Sequence, residues 1–266
     1  MQTDGRAKLN SWVAALERRY LADLRIQEVT RALRALSAAY VEHRGRGTGR
    51  HVRGALDTAG KRAAFAMYYA PLHYIAVLEV VRALGADQPA PASIVDLGCG
   101  TGAAAAAWAI AGGSTPVVTG IDRHPWAVSE ARRTYKELGL HGMARQGDFS
   151  ESGFKGFKGF TRFKGFTAGA VGAVAAYVLN ELADAERRRV EDMLVDFGRS
   201  GGRILVVEPI ARGVVPWWPE TAERIRSIGG RADVWRLPIE APPPVMRLGD
   251  AAGLNHRELR LQTLFL

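Results

Sequence analysis

The sequence predicts an α/β protein: a mostly parallel sheet with helices on both faces, preceded by an all-helical extension. Three observations predict it. From about residue 92 onward, apolar runs of strand length alternate with helical patterns, which is how parallel sheets with crossover helices read. One of these junctions, Ile94-Val95-Asp96-Leu97-Gly98-Cys99-Gly100-Thr101-Gly102, passes from an apolar run to an Ala-rich helix through a turn with glycine at every second position. An acid also stands at or just beyond the carboxyl end of each of the first three predicted strands: Asp96, Asp122 and Asp148.

The extension comes first. Trp12, Leu16, Tyr20, Leu24, Val29, Leu33 and Leu36 recur at three-to-four spacing, which predicts two helices broken near Asp23, with the stripe as core. His43 to Gly54 is dominated by glycine and arginine. It reads as a basic linker, suited equally to a phosphate backbone and to solvent. Lys61 to Leu84 predicts a long helix that Pro71 kinks or splits. Most of its aromatic side chains read as packing. Tyr69 and His73, four apart, share a face that can line a substrate pocket.

The sheet follows. Ala92–Leu97 is the first strand, and a helix runs from about Ala103 to Ala111. Glycines at 98, 100 and 102 remove three Cβ atoms from the turn between them, so a ligand can lie on bare backbone beside the helix N-terminus. Pro116–Ile121 is a second strand ending at Asp122, about twenty residues past the glycines, where an acid is placed to hold ribose hydroxyls. A helix from Trp126 to Leu138 and a third strand near Met143–Arg145 lead to Asp148-Phe149. Residues 153–166 repeat Phe-Lys-Gly. That period suits neither helix nor strand, so the segment reads as a loop insertion. Val171–Leu179 is the fourth strand, ending in Tyr177-Val178-Leu179-Asn180-Glu181-Leu182. Asn180 there either caps the helix predicted over Asp184–Phe197 or faces a ligand. Arg203–Glu208 is the fifth strand, Trp217-Trp218-Pro219 starts a short helix to about Ile228, and Pro238–Pro244 reads as a loop. The two adjacent tryptophans point in different directions, so at least one is expected to be a lid or partner contact. Val234–Leu237 and Glu258–Leu266 predict a final antiparallel pair, for seven strands in all.

Asp-Leu-Gly-Cys-Gly-Thr-Gly resembles the first motif of the class I S-adenosylmethionine-dependent methyltransferases. Gly98-x-Gly100-x-x-Ala103 also satisfies the dinucleotide fingerprint, so the glycines alone do not choose. Asp96 favours the methyl donor, because a carboxylate there would repel a pyrophosphate. The resemblance implies a Rossmann-like, seven-stranded fold, with S-adenosylmethionine as cofactor across the carboxyl ends of the first four strands. It implies that Gly98, Cys99, Gly100 and Gly102 admit the amino-acid portion while Asp96 orders the loop. It further implies that Asp122 takes the ribose, Arg123 lies along the adenine, and Asp148 with Phe149 binds the adenine edge. Tyr177 opens the strand end facing the methyl group. Asn180 would hydrogen-bond the acceptor and Glu181 would act as general base.

The Asn/Asp-Pro-Pro-aromatic motif of adenine and glutamine N-methyltransferases is absent. Leu179-Asn180-Glu181-Leu182 is similar to strand ends elsewhere in class I and to the mitochondrial small-ribosomal-subunit assembly branch. That branch often carries cysteines suited to an iron–sulfur cluster. With one cysteine, this chain excludes such a cluster, an internal disulfide and any multi-cysteine metal site, and no metal is expected.

The net charge of +9 suits contact with a polyanion such as rRNA, although arginine-rich sequences from GC-rich genomes reach the same charge without it. The first residues lack a signal-peptide pattern, and no apolar run has the length of a membrane span, the longest being Ala103–Gly112 and Ala168–Leu179. A cytoplasmic location without membrane contact is expected. The domain reading is a helical extension over 1–85 and a methyltransferase-like domain over 86–266. The expected function is methyl transfer to rRNA or a small molecule. A catalytically silent rRNA-binding protein and an NAD-dependent oxidoreductase are the alternatives.

Overall fold

The computed structural model describes residues 2–44, 56–152, 170–210, 213, 215–254 and 257–266. Most of the basic linker and the whole Phe-Lys-Gly repeat lie outside them. The described order is α1 (Gln2–Tyr20), α2 (Ile26–Arg44), α3 (Ala59–Ala64), a π-turn (Phe65–Tyr69), α4 (Ala70–Ala83), β1 (Ser93–Leu97), α5 (Ala103–Ala111), β2 (Val117–Asp122), α6 (Pro125–Glu137), β3 (Gly142–Gln146) and α7 (Phe149–Ser152). It continues with β4 (Val171–Ala176), a 3-10 turn (Leu179–Glu181), α8 (Asp184–Arg199), β5 (Arg203–Pro209), α9 (Trp218–Arg226), β6 (Arg231–Pro238), α10 (Pro243–Ala252) and β7 (Glu258–Phe265).

The strands form one seven-stranded sheet in the order β3-β2-β1-β4-β5-β7-β6. Strands β1 to β5 run parallel, and β7 is antiparallel to both β5 and β6. Because side chains alternate across a strand, each central strand feeds two cores. Ile94, Val118, Val174, Leu205 and Val207 face a core shared with α1 to α6 and α10. Val95, Leu97, Ile121, Ala173, Ile204 and Val206 face a second core under α8 and α9. This two-sided burial is why the strands read as continuous apolar runs.

The extension packs on the sheet domain through the first core. Leu9, Trp12 and Leu16 of α1 and Val29, Leu33 and Leu36 of α2 are buried. Arg19 of α1 forms an ion pair with the buried Glu130 of α6. Pro71 lies in the first turn of α4, just after the π-turn, in which Ala70 N–H bonds back to the Phe65 carbonyl. The wider turn eases the passage into a helix start where proline's missing N–H is tolerated.

Four expectations are corrected. Strand β4 ends at Ala176 rather than Leu179: Tyr177 has φ +57°, which breaks the strand, and the chain turns into the 3-10 segment. The proline-rich segment is not all loop: Pro242 is the N-cap of α10 and Pro243 and Pro244 occupy its first turn, where proline fits. The tryptophans at 217 and 218 are both buried in the second core, with the Arg187 guanidinium 5.1 Å over the Trp217 ring, so neither is a lid. Finally, residues Ala59–Ala83 are long and apolar enough to cross a membrane by length and composition, because scattered polar residues do not lower the mean as they interrupt a run. Most of that stretch is buried inside the protein.

One side chain explains three glycines. The buried Tyr135 ring occupies the space where a Cβ would stand at Gly102 (2.7 Å), Gly120 (2.9 Å, to its hydroxyl) and Gly142 (2.5 Å). At Gly142 the clash is with ring and Cβ atoms close to the α6 backbone, which cannot swing aside. Gly142→Ala is therefore expected to lower stability by about 1–3 kcal/mol, read from denaturant midpoints. Tyr135→Phe removes a buried hydroxyl without a hydrogen-bond partner, and should leave stability unchanged or up to about 1 kcal/mol higher.

Candidate functional site

The carboxyl ends of the parallel strands form one edge, and carboxylates hold its turns by accepting backbone N–H groups. At the end of β1, Gly98, Gly100 and Gly102 have φ +65°, +50° and +77°, a region that disfavours side chains. Their surroundings differ. A Cβ at Gly98 would strike Val178 at 2.2 Å, and one at Gly102 would strike Tyr135, whereas one at Gly100 would meet nothing within 4 Å. Gly100 is thus the glycine of the three whose backbone faces open space. Asp96 is buried and accepts from Ala105 N–H of α5 at 3.2 Å, fixing the helix start against the strand. Burial pushes its carboxyl up to about 7, against the pull of that hydrogen bond. Cys99 lies buried beneath the loop, its sulfur 2.7 Å from where a Gly120 Cβ would stand, and burial pushes its thiol up, so it packs and does not react.

Asp122 ties the second strand to this loop. Its Oδ2 accepts from Gly100 N–H and its Oδ1 from His124 N–H, both at 2.8 Å. His124 in turn caps α6, its Nδ1 accepting from Trp126 N–H at 3.2 Å. At the end of β3, Asp148 accepts from Ser150 N–H (2.8 Å) and Ser150 Oγ–H (2.7 Å), and its Oδ2 pairs with Arg123 at 2.5 Å. Partial burial raises the Asp148 carboxyl, but the Ser150 and Arg123 contacts outweigh it and hold it below the usual range. Arg123 also pairs with Glu186 at 2.8 Å, bridging α8 to the end of β3. Phe149 is buried against Gly98 and Val178. Beside Asp148 a cavity of about 370 Å³ is lined by Ile121, Arg145, Gly147 and Glu151.

The end of β4 carries the remaining candidates. Asn180 does not cap α8: the N-cap is Ala183, whose N–H is accepted by Glu186 at 3.0 Å. Asn180 is instead held by Glu208 at the end of β5. Glu208 Oε1 accepts from Leu179 N–H (2.9 Å) and Asn180 N–H (3.3 Å), and its Oε2 accepts from the Asn180 amide. Glu181 follows in the same turn, partly exposed. Tyr177 stacks on His73 of α4, centroids 4.2 Å apart and planes 20° from parallel.

Asp96, Asp122, the glycine turn, Asp148, Asn180 and Glu181 therefore share one edge of the sheet. Glu208 is the residue that sequence reading undervalued; its signal was an acid closing the otherwise apolar strand Ile204–Val207.

Residues 94–190 match the family model described as a methyltransferase domain. The matched segment runs from β1 into α8 of the seven-stranded sheet. No curated protein matches the sequence. Among solved structures, an O-methyltransferase family protein from Burkholderia thailandensis is similar at 19% identity, with 80% of this chain and 61% of that one covered and a TM-score of 0.49. The O-methyltransferase NcsB1 from neocarzinostatin biosynthesis is similar at 18% identity, covering 94% and 73%, with a TM-score of 0.48. The methyltransferase domain of bacterial CtHen1 shows 14% identity, 73% and 97% coverage and a TM-score of 0.45.

Burial, against hydrogen bonds from Asn180 and Leu179, pushes the Glu208 carboxyl from the ordinary 4.5 up to about 8. The folded state thus holds this proton more tightly than the unfolded chain. The resulting stabilisation is complete below about pH 4.5 and is lost as pH rises through about 8. Glu208→Gln keeps an acceptor for the two backbone N–H groups and removes the titration. Its melting temperature should fall less than that of the wild type between pH 5 and pH 9, and parallel curves would show that Glu208 does not titrate there.

Proposed function

We propose that this chain transfers the methyl group of S-adenosylmethionine to an acceptor held at the end of β4. The observation that carries the reading is the junction of β1 and α5 inside the matched segment, where Gly100 faces open space and donates its N–H to Asp122. The surroundings suit the group. Bare backbone at Gly100 admits a close approach, and the cavity of about 370 Å³ beside Ile121, Gly147 and Asp148 has the volume for an adenine ring. On this reading Asp122, the acid at the end of β2, takes the ribose hydroxyls. When bound, S-adenosylmethionine supplies a methyl group already activated by its sulfonium.

The chain's own task is alignment and exclusion of water. Asp96 and Asp122 set the glycine loop before any ligand arrives, so its ordering is not a cost of binding. The Glu208–Asn180 contact fixes the turn that carries Asn180 and Glu181. On this reading Asn180 orients the acceptor and Glu181 receives its proton. The β7 strand, antiparallel between β5 and β6, also distinguishes the sheet from the doubly wound order of the NAD-dependent alternative.

Calorimetric titration with S-adenosylmethionine and S-adenosylhomocysteine, with NAD as control, tests the reading. Micromolar affinity for the first two, weakened at least tenfold in Asp122→Ala, is expected. Absence of binding by either sulfur compound, or equal binding of NAD, would overturn it.

A further inference from the structure

The helical extension brings a set of aromatic rings to the same strand end that carries Asn180 and Glu181. We infer that Tyr69 and His73, together with Tyr177, form the acceptor subsite, and that it takes a neutral planar aromatic ring bearing a hydroxyl or amino group. This rests on the methyltransferase reading above.

Three structural features converge there. The first is exposure. On the helix from Ala59 to Ala83, Ala66, Met67, Tyr68, Leu72 and Tyr74 are buried, while Phe65, Tyr69 and His73 are only partly so. These three rings meet one another at centroid distances of 5.9 to 6.3 Å. Tyr40 of α2 packs edge-on against Tyr69 at 5.5 Å, and Tyr177 stacks on His73 at 4.2 Å. The second feature is the π-turn, which spans Phe65–Tyr69, the segment that presents two of these rings. Such turns give up regular hydrogen bonding and concentrate at functional positions. The third is Tyr177, the non-glycine residue with positive φ among the described residues. A bulky residue held in that region marks a geometry that the surroundings impose, and here its result is the stack on His73.

The electrostatics select the occupant. Burial lowers the His73 imidazole to about 4, so it is neutral at physiological pH and offers a π-face without a charge. The phenol of Tyr40 is raised by burial and then by the charge of the Glu181 carboxylate, so the rings lie within the field of an acid. An anionic acceptor is disfavoured in such a site, and a neutral ring with an O–H or N–H directed at Asn180 and Glu181 is favoured. Offset stacking on His73, Tyr69 or Tyr177 then aligns the ring. The ring can belong to a free small molecule or to a nucleobase.

The test uses 7-hydroxycoumarin, a fluorescent planar phenol, titrated into the full chain with and without saturating S-adenosylhomocysteine and read by anisotropy. The wild type should bind it, His73→Ala and Tyr69→Ala should each weaken binding at least tenfold, and His73→Phe, which keeps a π-face, should return it to within threefold. Calorimetric affinity for S-adenosylhomocysteine should stay within threefold in all three variants, which separates loss of the subsite from loss of the fold. Displacement of the probe by a single-stranded RNA dodecamer upholds the subsite and assigns the ring to a nucleobase; failure to displace it upholds the subsite for a free small molecule. The inference is overturned if a chain that binds S-adenosylhomocysteine does not bind the coumarin, if His73→Ala binds it equally, or if the non-planar 2-decalol competes as well as the coumarin does. A chain that binds the coumarin through His73 but not S-adenosylhomocysteine would keep the subsite and sink the methyltransferase reading.

Discussion

The site depends on carboxyl groups that stand at or just beyond strand ends and accept the backbone N–H groups of the turns along that edge. Asp96 holds the start of α5, Asp122 holds Gly100 and His124, Asp148 holds Ser150, and Glu208 holds Leu179 and Asn180. Turns at a sheet edge leave N–H donors that neither a strand nor a helix satisfies, and an acid at the strand end supplies acceptors at the right place. The arrangement has a cost in desolvation, visible in the raised carboxyls of Asp96, Asp122 and Glu208. What it achieves is a rigid rim: four turns from four strands are set relative to one another before a ligand arrives.

Packing finishes what the carboxylates begin. Tyr135, buried beneath the glycine loop, needs glycines at 102, 120 and 142, so the third glycine of the motif is explained by an internal ring as well as by its φ. Gly98 makes room for Val178 in the same way. Only Gly100 of the three has an open side, where a Cβ would meet nothing within 4 Å. A glycine motif is thus a compound signal, and its packed and open positions separate only when the neighbouring side chains are in place. The helical extension is joined to this assembly through the core shared by α1, α2, α4, α5 and α10 and through the Arg19–Glu130 pair, which sets its aromatic rings against the end of β4.

Much of the fold was legible in the sequence because its causes are local. The apolar runs at Ile94–Leu97 and Ile204–Val207 are buried on both faces, so they announce parallel strands without alternation. The α1 and α2 stripes announce their inward faces by spacing alone. The misreadings have physical origins too. Prolines 243 and 244 look like loop residues but suit a first helical turn, and Val178-Leu179 continues the apolar pattern of β4 although Tyr177 has already turned the chain. In the site, the acids at 96, 122 and 148 could be seen because each follows a strand. The holding of Asn180 by Glu208 could not, since the two are 28 residues apart and meet only because β4 pairs with β5. The stack of His73 on Tyr177 joins a helix of the extension to a strand end, and periodicity carries no trace of it.

The central claim is that the carboxylate-held edge, and Gly100 above all, is where the cofactor lies. The most direct measurement is an amide nitrogen–proton correlation spectrum of the labelled chain, recorded as S-adenosylhomocysteine is added. The account predicts large shifts at Gly98, Gly100, Gly102 and Gly147, with Gly85, Gly229 and Gly253 unmoved because they lie in turns outside the cleft. Saturable shifts confined to other surfaces, with the Gly100 resonance unmoved, would contradict it.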